Sequence, residues 1–115
     1  MNITFEEFKK VEVRIGLITK CEKVENADKL LKLQVDFGPA EQDSNERIIR
    51  QIVSAIAEYY KPEELEGKKL PFIVNLEPRK FRGEESQGML MAMDTEEKPV
   101  LLIPAEDVPL GTLVV

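Results

Sequence analysis

Arg79, Lys80 and Arg82 set three fixed positive charges around one aromatic ring, Phe81, in a chain whose formal net charge is -6. Ser86, Gln87 and Gly88 follow, at the entry to an apolar run that ends at Met93. A guanidinium grips a phosphate through two parallel hydrogen bonds, and a lysine adds a compact point charge. A cationic turn beside small polar groups in an acidic protein therefore points to a phosphate-bearing partner, nucleic acid in the first instance. The competing reading is that these residues solvate a turn and pair with Glu77, Glu84 and Glu85. Phe81 is expected to pin the loop to the body of the protein. Stacking on an exposed base, a contact of ~1–3 kcal/mol, is its alternative role.

Other residues extend this set. Lys29 and Lys32 follow the polar stretch Glu25-Asn-Ala-Asp28 and are assigned an electrostatic role, whereas Asp28 is expected to terminate the turn. Arg14, Arg47 and Arg50 add cations whose side of the sheet alternation alone does not settle. Asn75, Ser86 and Gln87 supply donors and acceptors at strand ends, and Gly88 permits close backbone approach. Met89, Met91 and Met93 alternate, as core or interface residues do.

Much chemistry is excluded. Without histidine the chain has no Ser-His or Cys-His nucleophile pair and lacks the usual zinc sets. Cys21, alone, reads as a buried strand thiol. No carboxylate pair stands out from the solvated charges, and no phosphate-cradle motif appears. No catalytic residue, metal site or cofactor is assigned.

The elements that must position these groups are short. Thr4 and Glu7 have capping-box spacing, with Phe5 and Phe8 on the turn they cap. Alternation from Val11 to Ile18 reads as a strand with a face switch or bulge near Gly16, and Leu31 to Phe37 alternates again. Arg47–Ser54 reads as a third strand. Pro62-Glu-Glu-Leu suits a one-turn helix, since proline is tolerated at the first helical position. Leu70–Leu76 and Gln87–Met93 read as fourth and fifth strands, with extra short strands at Val100–Ile103 and Leu113–Val115. Five strands with a helix between the third and fourth is the element order of an oligonucleotide/oligosaccharide-binding (OB) Greek-key barrel, although a small sandwich or SH3-like barrel would alternate similarly.

At 115 residues, with 43% hydrophobic and 33% charged, the chain suits one globular domain over 1–115. No run approaches the ~20 apolar residues of a membrane span and the N-terminal stretch lacks a signal-peptide core, so a cytoplasmic location is expected. Five acids against Lys98 after residue 93 concentrate negative charge in the tail, leaving the middle of the chain locally less acidic.

The blocks Val11-Glu-Val-Arg-Ile-Gly16, Asn26-Ala-Asp-Lys-Leu30, Gln51-Ile-Val-Ser54, Tyr59 to Leu65 and Asn75 to Met89 resemble, in order, the small tRNA-binding domain of methionyl-tRNA synthetases and its free-standing relatives. The resemblance runs from about Phe8 to the C-terminus and selects the OB barrel. It implies noncatalytic binding at the tRNA elbow, with Lys29 and Lys32 on one wall of a groove and Arg79, Lys80 and Arg82 on the other. It also implies RNA-facing roles for Asn75, Ser86 and Met89. A methionyl-tRNA synthetase is the implied protein partner. Ser54-Ala55 stands where relatives often carry Ser-Gly, and Glu77 where many carry lysine. A CsaA-type chaperone for unfolded polypeptide and a pure synthetase dimerisation module are the alternatives. The apolar runs Val100–Ile103 and Leu113–Val115 exceed what a closed barrel can bury, so a homodimer is expected, with 94–115 in its interface through Leu101, Ile103 and Leu113.

Overall fold

A computed structural model describes residues 1–115. After a four-residue helix α1 (Phe5–Phe8) come three long strands, β1 (Val13–Val24), β2 (Ala27–Pro39) and β3 (Arg47–Ser54). Helix α2 (Pro62–Leu65) leads to β4 (Lys69–Ile73), followed by short strands β5 (Arg79–Phe81), β6 (Glu84–Ser86), β7 (Met89–Leu90), β8 (Ala92–Asp94), β9 (Pro99–Leu101) and β10 (Leu113–Val114). The main sheet has the antiparallel order β3-β2-β1-β4-β7, with β10 also paired to β1. It curls so that its two ends meet: Gln87 N–H donates to the Gln51 carbonyl at 2.8 Å. This is an all-β, OB-like barrel with a helix between the third and fourth strands and a β extension at the C-terminus.

Inward-pointing residues explain the curl. Leu31, Leu33 and Val35 on β2, Ile52 on β3, and Leu70 and Phe72 on β4 are completely buried. Each such side chain contributes about 1.5–3 kcal/mol on leaving water. Phe37 meets Phe72 edge-on, ring centroids 5.6 Å apart. Leu65 of α2 is also fully buried in this core. Its helix starts at Pro62, and Glu64 reaches back to the Lys61 N–H at 2.9 Å.

On β1 the alternation is interrupted at Thr19, where the register against β2 slips between Ile18 and Lys20. The bulge expected near Gly16 therefore lies three residues later. Gly16 has another task, because a Cβ there would sit 2.4 Å from Val35 Cγ1 and 2.7 Å from Phe37 Cε1. Val13 and Ile15, buried but outside the barrel core cluster, line an outer groove with the C-terminal segment. Both faces of early β1 are thus covered, which mimics a face switch in sequence.

The fifth strand expected over Gln87–Met93 divides. Met89 and Leu90 pair with β4, whereas Ala92–Asp94 pair with β9 in a separate two-stranded sheet. Tyr60 donates its hydroxyl to the Pro99 carbonyl at 2.8 Å, and Lys69 holds Asp107 at 2.6 Å. These contacts fasten the extension to the barrel. Cys21 is buried, and burial, with smaller repulsions from Glu66, Glu22 and Glu63, pushes its thiol up to about 11. It therefore stays protonated at neutral pH.

Gly88 stands at the junction, with φ +154° and the Ile73 carbonyl 2.7 Å from where a Cβ would lie. Replacing it with alanine forces β7 off β4. Gly88→Ala should cost about 1–3 kcal/mol in urea denaturation, and an unchanged midpoint would show that the junction is loose.

Candidate nucleic-acid interface

The cationic segment is a β-hairpin and not merely a turn. Arg79–Phe81 pair with Glu84–Ser86 across the two-residue loop Arg82-Gly83, whose φ values are +52° and +83°. Two positive φ angles are the signature of the type I′ turn, which matches the twist of the strands it joins. Arg82 thus occupies a left-handed position that asparagine or glycine would adopt more readily.

Arg79, Lys80 and Arg82 are all exposed, and none has a carboxylate within 4.0 Å. Arg79 places its guanidinium carbon 4.9 Å from the centre of the Phe81 ring. Pairing with Glu77, Glu84 and Glu85 is not what the structure shows. Glu84 turns away to Lys32, 3.3 Å distant, and the two hold the hairpin against β2.

That pair changes the reading of Lys32. Its side chain is only 22% exposed, lies between Glu84 and Glu22, and gives its charge to them. Lys29 is exposed and has no acidic partner. Arg14, Arg47 and Arg50 do not extend the cationic surface: Arg14 is bound to Glu12 and the Gly111 carbonyl, Arg47 to Asp36, and Arg50 to the Val74 carbonyl. Strand alternation carries no sign of the Gly111, Asp36 and Val74 partners, which come from other segments of the chain.

Ser86 is 3% exposed. Its hydroxyl accepts from the Val53 N–H and donates to the Gly88 carbonyl, both at 2.9 Å, so it ties the hairpin to β3 and is closed to solvent. Gln87 completes the tie, its side-chain oxygen accepting the Gln51 N–H at 3.0 Å. Asn75 is exposed, but its amide accepts from the Glu12 N–H at 2.8 Å and donates to the Lys10 carbonyl, clamping the N-terminal arm. Met89 is 46% exposed and opens onto the surface.

Beneath the hairpin lies a cleft of about 250 Å³ that brings Arg79, Phe81, Ser86 and Met89 together with Leu76 and Ser54. Leu30, next to Lys29, lines the opposite side. Of the two expected walls, the cleft takes in Arg79 from the hairpin and only Leu30, the neighbour of Lys29, from β2; Lys29 itself is not in its lining. Asn75 and Lys32 both lie outside that lining, as does Glu84, the partner of Lys32. Leu76 and Ser54 are lining residues to which sequence reasoning assigned no role, since nothing in their local pattern separates them from ordinary strand-end residues, whereas Glu77, which also lines the cleft, is the acid that stands where many relatives carry lysine.

A family model described as a putative tRNA binding domain matches residues 13–113. The methionine–tRNA ligase of Archaeoglobus fulgidus is 47% identical over 112 residues, covering 97% of this chain and 16% of that protein. That of Methanocorpusculum labreanum is 48% identical over 97% of this chain and 15% of its own length. The chain thus spans under a fifth of these curated relatives. Among solved structures, a MetRS-related protein from Pyrococcus horikoshii superposes with TM-score 0.88 at 46% identity, covering 100% of this chain and 99% of that one. The chaperone CsaA of Bacillus anthracis superposes with TM-score 0.83 at 27% identity, each chain fully covered.

The left-handed Arg82 is a strained choice for its turn. Arg82→Asn should keep the hairpin and raise stability by up to about 1 kcal/mol in urea denaturation. A clear loss of stability would mean that the arginine side chain itself holds the turn.

Proposed function

Because the chain belongs to the family of tRNA-binding domains, we propose that it binds folded tRNA at the elbow without catalysing a reaction, in the cytoplasm and in the service of a methionyl-tRNA synthetase. One observation carries this reading: in a chain of net charge -6, the three cations of the β5–β6 hairpin project from the surface with no acidic partner. Charges left unpaired in this way are available for phosphates, and bound phosphates release counterions. Lys29, exposed beside the lining residue Leu30, adds a further cation near the same groove. Lys32, Asn75 and Ser86 act by holding the surface in place, and Met89 offers it an apolar contact. Duplex RNA shows side chains little readable sequence, so backbone geometry and exposed bases are what such a surface reads.

We also assign the chain to a homodimer. On the face formed by α1, β1 and the C-terminal segment, a groove of about 870 Å³ is lined by Phe5, Phe8, Val11, Ile103, Leu113 and Val114, all exposed. Helix α1 buries none of its residues within the protomer. Apolar surface on this scale on a soluble protein marks an interface. Leu101, expected there, instead packs at the edge of the barrel core through the β8–β9 sheet, and the interface expectation moves to Ile103 and Leu113 with the two phenylalanines. The same groove is what favours the chaperone alternative, with unfolded polypeptide as its occupant. Identities of 46–48% to the synthetase relatives against 27% to the chaperone weigh for tRNA.

Replacing Arg79, Lys80 and Arg82 together with alanine should leave the fold intact and lower the slope of log affinity for tRNA against log salt by about two to three units. An unchanged slope in gel-shift titrations would place the phosphate contacts elsewhere. In sedimentation at micromolar concentration the wild type should run at twice the 13.1 kDa protomer mass, and Ile103→Asp should shift it towards the protomer. A wild-type protomer that binds unfolded polypeptide in preference to tRNA would favour the chaperone.

A further inference from the structure

The cleft beneath the hairpin contains a group that phosphate binding does not use. Glu77 lines it, is exposed, and makes neither a hydrogen bond nor an ion pair, although it stands two residues from Arg79. A carboxylate at this point repels phosphates, so on a surface serving phosphates alone it is a liability. Ser54, also in the lining, leaves its hydroxyl without an intramolecular partner. The floor between them is apolar, built from Leu30, Leu76, Phe81, Met89 and Leu90. At about 250 Å³ it falls just below the range of sites for drug-sized ligands, of order 300–1,000 Å³, and suits one flat ring system.

Resting on the tRNA-binding reading above, we propose that this cleft receives one unstacked guanine, with the Glu77 carboxylate accepting hydrogen bonds from its N1–H and N2 amino group. Base chemistry makes the choice. On its Watson–Crick edge guanine sets two N–H donors side by side, matching the two oxygens of a carboxylate. Adenine and cytosine put a ring-nitrogen acceptor beside their amino group, and uracil flanks its one N–H with two carbonyls. Each of these would turn a lone pair towards the second carboxylate oxygen. The ring lies against Phe81, Leu76 and Met89, in the manner in which single-stranded RNA is held on aromatic and guanidinium planes. Arg79, already against Phe81, adds a second planar group and takes the flanking phosphate. Discrimination falls to Glu77 and affinity to the hairpin cations.

The test pairs a protein change with an RNA change. A dye-labelled single-stranded oligouridine carrying one central guanosine is titrated by fluorescence anisotropy against the same strand with inosine, which lacks only the N2 amino group, or with adenosine. Wild type, Glu77→Ala and Glu77→Gln are compared, and tRNA retention is measured in parallel. The wild type should prefer guanosine to inosine by about tenfold, the worth of one hydrogen bond to a charged group. Glu77→Ala should erase that preference, with Glu77→Gln intermediate. Equal binding of guanosine and inosine by the wild type, a preference that survives Glu77→Ala, or no binding of the guanosine strand overturns the proposal and, if tRNA is still retained, leaves the broader reading standing. Tighter tRNA binding by Glu77→Ala without base preference would show Glu77 to be mere repulsion and also overturn it. Failure of the wild type to retain tRNA would sink both.

Discussion

At the seam where β3 meets the start of β7, the barrel is sealed largely by side chains. Ser86 presents its hydroxyl to the Val53 N–H, Gln87 its amide oxygen to the Gln51 N–H, and one backbone bond, from Gln87 N–H to the Gln51 carbonyl, lies between them. An unpaired sheet edge exposes a row of donors and acceptors, and buried backbone groups left without partners are costly. Two side-chain oxygens meet that demand here without a continuous ladder. β6 belongs to a separate two-stranded sheet that is anchored to the barrel at Ser86 and Glu84, and from that anchored base the exposed Arg79, Lys80 and Arg82 carry their charges into solvent. The same hydroxyl of Ser86 bonds to the Gly88 carbonyl, where the chain must pass within reach of Ile73. Closure of the barrel and projection of the hairpin are one construction.

Electrostatics follow from this construction. Arg14, Arg47 and Arg50 are each bound within the protein, so of the five arginines only Arg79 and Arg82, both in the hairpin, keep free guanidinium groups. Glu84 would lower their field, but Lys32 meets it at 3.3 Å, while Gln51 donates to the neighbouring Glu85 carbonyl at 2.9 Å. Exposed charges act over only about 8 Å at physiological salt. Local pairing therefore decides the field at the binding face more than the net charge does.

Alternation made the long strands legible in the sequence, since Leu31, Leu33 and Val35 can face a core only as a strand, and Pro62 with its following acids marked the short helix. The cationic segment reads as a turn and is a hairpin, because Phe81 and Ser86 are too few and too short-spaced to show a period. Closure was not legible. Ser86 and Gln87 look like polar strand-end residues until their partners on β3, more than thirty positions earlier, come into contact. Arg50 likewise reads as a surface cation, and only curling of the sheet brings it to the Val74 carbonyl. The packing of Leu101 against the core was not legible for a related reason: the apolar run Val100–Ile103 does not say which of its four members turns inward.

Asn75 joins the two surfaces of the molecule. It follows β4 at the point where the chain leaves for the hairpin, and its side chain clamps the backbone at Lys10 and Glu12. Beyond that clamp, α1 is a single turn held by the reciprocal bonds of Thr4 and Glu7, and it buries nothing. A helix this short is marginal on its own. Phe5 and Phe8 therefore keep their place along the apolar groove through their tether at Asn75 and through whatever covers them. Burying those rings would order the arm, and an ordered arm holds the Asn75 end of β4 still. From there the backbone runs to the cationic hairpin within four residues, which gives the apolar face a short covalent route to the groove that meets RNA.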